Sequence, residues 1–329
     1  MDAFETLLRK HQTSRFLVID PEGGLGDQLI LLGMEKKLQE MNIHYRLLRI
    51  RKSPIANKAL ARALDSLPSI QRIIRASRPG VIESRIRQLT HLLSKTIASD
   101  PKLSEEVILL RGGAYLNDVW KGYGVLRLVA NAVRNKPKTI IIVAPQSFYF
   151  EETRFPEVLA NLREEVHIFC RENESYKLLS SFRYPKNVHI HLSPDTAFYL
   201  SRKDLDVRNV RERYILIAPR LDRESATTWR INKIPKSRGT HVVSKDANLL
   251  PDFKSFVDIV ANACKVYTDR LHVSILAAIL NKETYLLPTI YHKNKSVYEF
   301  SLKHFRNVKF INAKEFPVPE TSNTNRTHH

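Results

Sequence analysis

Short apolar runs that end in glycine-rich or polar residues constrain this sequence most, because they alternate with segments of helical spacing. Residues 16–20 form such a run, residues 23–27 follow as a glycine-rich turn, and residues 29–41 continue with helical periodicity. This order of strand, loop and helix opens a βαβ unit. The run 139–144 is almost entirely β-branched, which is typical of a parallel strand covered on both faces. The sequence therefore predicts an α/β protein with parallel sheets.

The chain length predicts two such domains. At roughly 150 residues per domain, 329 residues suggest about two. The charged stretch 201–213 is interpreted as a linker, and the irregular basic stretch 227–246 as a surface loop. We expect a Rossmann-like domain over residues 1–205, a second over residues 206–329, and a frayed tail from about residue 315. Further strands are predicted at 44–50, 107–110, 166–170, 188–192, 214–218, 265–267, 284–287 and 308–311, and helices at 255–263, 271–280 and 297–305.

Candidate binding residues follow the strands of the first predicted domain. In open parallel sheets the ligand crevice lies beyond the carboxyl ends of the strands. Gly113, Gln146 and Arg171 each stand just after a predicted strand. A strand-end arginine can fork onto a carboxylate or phosphate, and it can equally serve in an exposed capping arrangement.

The turn at Gly26 and Asp27 lies between a strand and a helix, where backbone N–H groups and the helix dipole favour an anion. It lacks the third glycine of the dinucleotide fingerprint, and no Walker lysine follows it. Asp27 is either a helix N-terminal residue or a group that takes a proton from, or hydrogen-bonds to, a sugar hydroxyl.

Arg270 and His272 enter an otherwise apolar predicted helix at its first turn. A guanidinium beside an imidazole can bind an anion and exchange a proton, although a lone histidine there would more often be structural. Lys293, Asn294 and Lys295 lie in a predicted loop after the strand that ends near Pro288. That loop is interpreted either as an anion-binding loop or as a solvated basic loop.

The net charge restricts the classes of binding partner but does not identify one. The chain has 53 Lys+Arg against 34 Asp+Glu, a net charge of +19 and a pI near 9.9. This charge fits nucleic acid, an anionic membrane face or an anionic substrate. Nucleic acid is disfavoured, because the cations are dispersed and no nucleic-acid motif is present. The basic stretch 72–95 is interpreted as a solvated helix face or as a contact with anionic membrane.

The expected cellular compartment follows from the absence of a predicted membrane span, secretory segment or disulfide framework. No apolar run approaches the roughly 18–20 residues of a spanning helix, and the N-terminus has no secretory apolar region. Cys170 and Cys264 are too few for a disulfide framework or a four-ligand zinc site, and both are expected to be buried. We expect a cytoplasmic protein without a bound metal.

Taken together, the motifs resemble the polysaccharide pyruvyl transferase family from about residue 16 to residue 300. Where the family often has three consecutive glycines, this chain has Gly112-Gly113-Ala114. The motifs that carry the resemblance are Gly24-Leu25-Gly26-Asp27, Gly112-Gly113, Pro145-Gln146-Ser147, Arg171-Glu172-Asn173 with Ser175, Pro194-Asp195-Thr196-Ala197-Phe198, Arg220-Leu221-Asp222-Arg223-Glu224, Asp269-Arg270-Leu271-His272 and Tyr291-His292-Lys293-Asn294-Lys295.

The resemblance implies a GT-B-like fold, with two Rossmann-like domains facing a cleft. It implies transfer of the pyruvyl group of phosphoenolpyruvate onto a sugar hydroxyl of a surface polysaccharide or glycan, giving a pyruvate ketal. Phosphoenolpyruvate is then a donor substrate, and no cofactor or metal is expected. The acceptor can be lipid-linked, which fits a cytoplasmic enzyme that rests on the inner face of the membrane.

The resemblance also assigns residues. His272, Asp27 and Arg270 are the catalytic candidates, and the substrate-binding candidates are Arg171, Lys293, Lys295, Gly26, Gly113, Gln146 and Asn294. We expect the acceptor on the N-terminal domain and the donor on the C-terminal domain. Two other interpretations stay open: a GT-B glycosyltransferase that uses a nucleotide sugar, and a non-catalytic protein that binds a polyanion or a membrane.

Overall fold

The computed structural model divides the chain into two compact units. It describes residues 1–21, 23–50, 106–133, 138–160, 162–208, 210–211, 213–226 and 241–312. The first unit comprises Met1–Gly23, Met34–Arg171 and Ser175–Thr196, and the second comprises Gly24–Gly33, Glu172–Glu174 and Ala197–His329. The basic stretch 72–95 and the tail from residue 315 lie outside the described residues. The assignment of acceptor and donor sides to the units stays a prediction.

The first unit is built on a six-stranded parallel sheet of order β2-β1-β3-β4-β5-β6. The chain order reverses between β1 and β3, and in doubly wound sheets the ligand crevice lies at such a switch point. Its strands are β1 (Phe16–Pro21), β2 (Tyr45–Ile50), β3 (Val107–Leu110), β4 (Ile140–Gln146), β5 (Glu165–Cys170) and β6 (Val188–Leu192). The helices in this part of the chain are α1 (Ala3–Lys10), α2 (Leu25–Glu40), α3 (Gly124–Val133), α4 (Phe155–Leu159) and α5 (Asn173–Ser180).

The second unit repeats this plan with a five-stranded sheet of order β11-β10-β9-β7-β8, whose strand pairs are all parallel. Its switch point lies between β7 and β9. The strands are β7 (Tyr214–Ala218), β8 (His241–Ser244), β9 (Ala263–Thr268), β10 (Glu283–Leu286) and β11 (Val308–Phe310). The helices are α6 (Phe253–Ala261), α7 (Leu271–Ile279) and α8 (Lys293–Phe300).

Hydrophobic burial explains why the first part of α2 belongs to the second unit. Leu25 and Leu29 are buried in the same core as Leu271 and Leu276 of α7. At the start of α2, the Gly24 N–H donates to Asp27 Oδ2 at 2.8 Å. Asp27 thus satisfies a backbone donor at the helix start, which is the structural role that its position also predicted.

The predicted fold class of two parallel-sheet α/β domains is confirmed. The strands predicted at 107–110, 188–192 and 214–218 have those bounds. The first and third are continuous apolar runs, which mark buried strands clearly, whereas 188–192 alternates apolar residues with histidines. Cys170 is buried as expected, whereas Cys264 is partly exposed. Within the described residues, no helix has the length and apolar character needed to cross a membrane.

Two further predictions, both of local structure, were wrong. The stretch 227–246 is not loop throughout, because its last part contains strand β8, which pairs with β7 at the sheet edge. This strand has only four residues, of which the outer two are exposed and the inner two half-buried, so it lacks the apolar run that marks a buried strand. The helix predicted at 297–305 begins earlier, at Lys293, and ends at Phe300. Lys293, Asn294 and Lys295 are therefore the first turn of α8 and not a loop.

Candidate functional site

The loops that follow β4, β5 and β6 of the first unit meet at one guanidinium. Arg171 Nε donates to Ser147 Oγ at 2.8 Å, and its NH1 donates to Asp195 Oδ2 at 2.7 Å. The Arg171 side chain is 1% exposed and that of Asp195 0%. Three motifs of the resemblance thus converge, and Arg171 is held by a protein carboxylate inside the first unit.

Gly113 and Gln146 lie beside this cluster at the same sheet edge. Gly113 has φ 134°, and its N–H donates to Pro145 O at 3.1 Å. A glycine suits this backbone conformation, which side chains of L-residues rarely adopt. Gln146 Oε1 is buried and has no hydrogen-bond partner among the described residues. Such an atom is a candidate acceptor for a ligand that reaches this edge.

Arg111 occupies the switch point of the first sheet. Its Nε donates to Asp20 Oδ1 at 2.5 Å, its NH2 to Pro21 O at 2.5 Å and its NH1 to Gly112 O at 2.7 Å. This buried side chain ties the end of β1 to the loop after β3. Sequence reasoning assigned no role to Arg111, although its place directly after a buried strand was a signal for one.

In the second unit, Arg270 is clamped by a carboxylate that sequence reasoning missed. Its Nε and NH2 donate to Asp246 Oδ1 and Oδ2 at 2.5 and 2.6 Å, and NH2 also lies 3.3 Å from Asp222 Oδ2. A bidentate pair of this kind fixes the plane of the guanidinium. Asp246 follows β8, so the failure to predict that edge strand also hid this residue.

Glu224 connects two motifs of the resemblance in the second unit, the one that begins at Arg220 and the one that begins at Tyr291. Arg220 NH1 lies 2.8 Å from Glu224 Oε2, which also accepts from Lys293 Nζ. Tyr291 OH donates to Glu224 Oε1 at 3.2 Å. Glu224 is fully buried, and the three groups that contact it are buried or nearly so. Two of them are cations, so that one buried carboxylate is shared by Arg220 and Lys293.

Asp269 and Asn294 complete the network. Asp269 accepts from the Arg220 N–H and from Ser225 Oγ, both at 2.7 Å, and burial raises the pKa of its carboxyl above the ordinary value. Asn294 Nδ2 donates to Asp269 O and Leu287 O, each at 2.8 Å. Asn294 Oδ1 is buried without a hydrogen-bond partner among the described residues.

The paired charges also shift the pKa values of Asp222 and Arg220. Burial alone would raise the pKa of Asp222, but the hydrogen bond and the charge of Arg220 outweigh it and lower that pKa. Burial likewise opposes the charge of Arg220, yet Glu224 and Asp222 raise its pKa. The cations at this edge, Arg220, Arg270 and Lys293, each contact a protein carboxylate. Protein carboxylates therefore hold all three side chains in fixed orientations before any ligand arrives.

His272 stands in the first turn of α7, two residues after the clamped Arg270, and is partly exposed. The glycine-rich turn packs directly against it. A Cβ added to Gly26 would lie 2.8 Å from both Cβ and Nδ1 of His272, and one added to Gly24 would lie 2.4 Å from Asn248 Oδ1. Close packing within the second unit therefore requires Gly26, which contacts the His272 side chain from its Cβ outward, whereas the exposed amide of Asn248 can move away from a Cβ at Gly24.

Replacing Gly26 by alanine is expected to destabilise the protein by about 1–3 kcal/mol, as overpacking does. Helix propensity alone would favour alanine by up to about 1 kcal/mol, so the sign of the change separates packing from propensity. Because the resemblance makes His272 a catalytic candidate, displacing it by about 1 Å should also lower pyruvyl-transfer turnover by about 10²-fold. Urea unfolding and steady-state kinetics check both effects. Gln28→Ala, an exposed change two residues along α2, is the control and should alter neither.

The two lysines of the last motif have different surroundings. The Lys293 side chain is 4% exposed and bonded to Glu224. The Lys295 side chain is 67% exposed and lies 3.9 Å from Glu299 on the same helix. Lys293 thus belongs to the buried network, and Lys295 does not.

Glu172 connects its own motif to α8 within the second unit. Ser296 Oγ donates to Glu172 Oε2 at 2.8 Å, and His292 Nε2 lies 3.4 Å from Glu172 Oε1. Arg171, the residue before it, belongs to the first unit. The motif that begins at Arg171 therefore contributes side chains to both units.

Fold and site together define a class: an α/β protein of two parallel sheets whose strand-end loops gather paired ionic side chains. The chain matches the family described as polysaccharide pyruvyl transferase over residues 25–289. The match covers most of the chain, and the chain belongs to this family. The family supports a pyruvyl transferase function in polysaccharide synthesis.

One curated relative agrees with this assignment, and one solved structure shares the fold. The chain is 28% identical over 232 residues to EpsO of Bacillus subtilis (strain 168), which carries a provisional name as a pyruvyl transferase. The match covers 60% of this chain and 69% of EpsO. The solved structure of the uncharacterized protein KP1_0663 from Klebsiella pneumoniae subsp. pneumoniae NTUH-K2044 is similar in fold. It has a TM-score of 0.57 and 21% identity, over 94% of this chain and 96% of that one.

A more distant structural neighbour is the UDP-GlcNAc 2-epimerase from Neisseria meningitidis bound to UDP-GlcNAc. Its TM-score is 0.49 at 11% identity, over 91% of this chain and 87% of that chain.

Proposed function

We propose that this chain transfers the pyruvyl group of phosphoenolpyruvate onto a sugar hydroxyl of a surface polysaccharide or glycan and closes a pyruvate ketal. The family match over residues 25–289 carries the proposal. It is supported by the meeting of three motifs of the resemblance, those at Arg220, Arg270 and Lys293, in one buried network.

Donor binding in this proposal uses fixed cations. Phosphoenolpyruvate has a carboxylate and a phosphate, and charge-assisted hydrogen bonds from guanidinium groups suit both. Arg270 is oriented for this by Asp246, with which it makes two hydrogen bonds. Lys293 contributes positive charge from the buried network, while Lys295 would reach a ligand only from the helix surface.

Chemistry begins with protonation of the donor's methylene carbon, for which His272 is the proposed acid. This step leaves an oxocarbenium-like centre at C2, which a sugar hydroxyl attacks while Asp27 takes its proton. The C2–O bond to phosphate then breaks, and a second hydroxyl closes the ketal. Protons balance, because two hydroxyl protons leave, one proton ends on the new methyl group and one on the released phosphate.

Acceptor binding is proposed for the first unit, with Arg171, Gly113 and Gln146 at the edge of its sheet. Gln146 Oε1, for which the described part of the chain offers no hydrogen-bond partner, supports this assignment, because a sugar hydroxyl is a donor that would satisfy it. The same proposal has the reaction in the cytoplasm, at the inner face of the membrane when the acceptor is lipid-linked.

Thermal unfolding with candidate donors tests the choice of substrate. We expect phosphoenolpyruvate to raise the unfolding midpoint, by an amount equivalent to about 2.7 kcal/mol at one hundred times its Kd. Nucleotide sugars should raise it no more than inorganic pyrophosphate does. Inorganic pyrophosphate at equal ionic strength is the control, because a chain of charge +19 is stabilised by polyanions in general.

Each contrary outcome would favour a different function or a different donor. Stabilisation by a nucleotide sugar and not by phosphoenolpyruvate would replace this proposal with a glycosyltransferase. Equal stabilisation by pyrophosphate and phosphoenolpyruvate would favour a protein that binds polyanions without catalysis. No shift with phosphoenolpyruvate would also count against the proposed donor.

A further inference from the structure

Imidazole and carboxylate side chains gather on one face of β5 and β6, in a part of the first sheet that the proposed reaction does not use. Glu165 and His167 are two residues apart on β5 and so point to the same face. His189 of β6 is the register partner of His167. This cluster lies in the amino-terminal halves of the two strands, whereas the candidate site lies at their carboxyl ends.

The donor atoms are close enough for one ion. One ligand atom from each of Glu165, His167 and His189 lies within 4.8 Å of the others. Glu165 Oε1 is 2.9 Å from His167 Nε2, and the rings of His167 and His189 stack at a centroid distance of 4.9 Å. Bonds of about 2.0–2.2 Å to Zn²⁺ hold tetrahedral ligand atoms about 3.3–3.5 Å apart. Rotation of the surface side chains of Glu165 and His189 covers the difference.

His191 orients the imidazole ring of His167 through a hydrogen bond between ring nitrogens. Its Nε2 lies 2.9 Å from His167 Nδ1, the ring nitrogen that points away from Glu165. A metal-ligating histidine usually donates its second ring N–H to a carboxylate, a backbone carbonyl or water, and His191 would take that place for His167. The His191 ring is itself stacked on Phe169 at 4.7 Å, and Phe169 packs edge-on against Phe4 of α1.

An ordinary hydrogen-bonded pair would account for Glu165 and His167 alone. It does not account for the convergence of His189 from the neighbouring strand on the same point. We propose that Glu165, His167 and His189 bind one divalent transition-metal ion of the Zn²⁺ type, with water in the fourth position, and that this ion links β5 to β6. Two imidazoles and one carboxylate form a ligand set that Zn²⁺ accepts.

Titration of metal-free protein with Zn²⁺ against a chromophoric chelator tests the site. We expect one tight equivalent for the unchanged chain, and a loss of at least about 10-fold in affinity for His189→Ala and for Glu165→Gln. Both side chains are at the surface, so the variants should fold, and circular dichroism checks this. His304→Ala removes an exposed histidine of the second unit and should leave the affinity unchanged.

The terminal pair His328 and His329 is a competing source of Zn²⁺ binding, so a variant with both replaced by alanine is included. It should keep the tight equivalent, and Zn²⁺ should raise its thermal midpoint but not that of His189→Ala. The proposal is overturned if the unchanged chain takes up no Zn²⁺, or if the terminal variant loses binding that His189→Ala retains. None of these measurements depends on the proposed transferase activity.

Discussion

Replacing His272 by alanine or asparagine is expected to lower pyruvyl-transfer turnover by about 10²–10⁴-fold, the usual contribution of a general acid or base. The imidazole is proposed to protonate the donor's methylene carbon, and neither replacement can donate a proton in its place. His272 is partly exposed at the start of α7, so asparagine should preserve the fold. Steady-state kinetics at saturating phosphoenolpyruvate measure the effect.

His304→Ala is the matched control, because it removes an exposed histidine elsewhere in the second unit. Its turnover should equal that of the unchanged chain. Near-normal turnover in folded His272→Asn would remove His272 from the chemistry. A loss confined to KM would instead make it a binding residue.

Replacing Asp195 by alanine is expected to destabilise the first unit by about 3–5 kcal/mol, because it leaves the buried guanidinium of Arg171 without its carboxylate. A loss of this size is a large fraction of the 5–15 kcal/mol that stabilises typical domains. Urea unfolding followed by circular dichroism measures the change as a lower midpoint.

The double variant Arg171→Met/Asp195→Leu provides the control. Replacing a buried ion pair by apolar residues of similar volume is often neutral or stabilising, so most of the lost stability should return. If Arg171 also binds substrate, this folded double variant should still lack activity. An unchanged midpoint in Asp195→Ala would contradict the structural role, and full activity in the double variant would contradict the binding role.

Sequence patterns predicted the sheets well, because buried parallel strands have an apolar signature that needs no knowledge of their neighbours. They also predicted that Arg270 and His272 open an apolar helix, and α7 begins at Leu271 as expected. The edge strand β8 lacked that signature, since its exposed and half-buried residues do not form an apolar run.

Ion pairing could not be predicted in the same way. Arg171, Arg270 and Lys295 were assigned to a polyanionic ligand. The structure shows Arg171 and Arg270 each paired with a carboxylate from a different element, whereas Lys295 is exposed and lies 3.9 Å from Glu299 on its own helix. Asp246 is 24 residues from Arg270 along the chain, and only the position of β8 in the sheet brings the two together. The residue types at the strand ends could be read from the sequence. Which carboxylate each cation contacts depends on the order of the strands in the sheet.

Release of inorganic phosphate from phosphoenolpyruvate, measured with and without candidate acceptor sugars, tests the central proposal most directly. We expect phosphate release that requires a sugar with two suitably placed hydroxyls, accompanied by one new pyruvate ketal per phosphate in the product. His272→Asn should abolish most of this release, and His304→Ala should not. Phosphate release without ketal formation, or ketal-free sugar transfer from a nucleotide sugar by the same preparation, would contradict pyruvyl transfer by this chain.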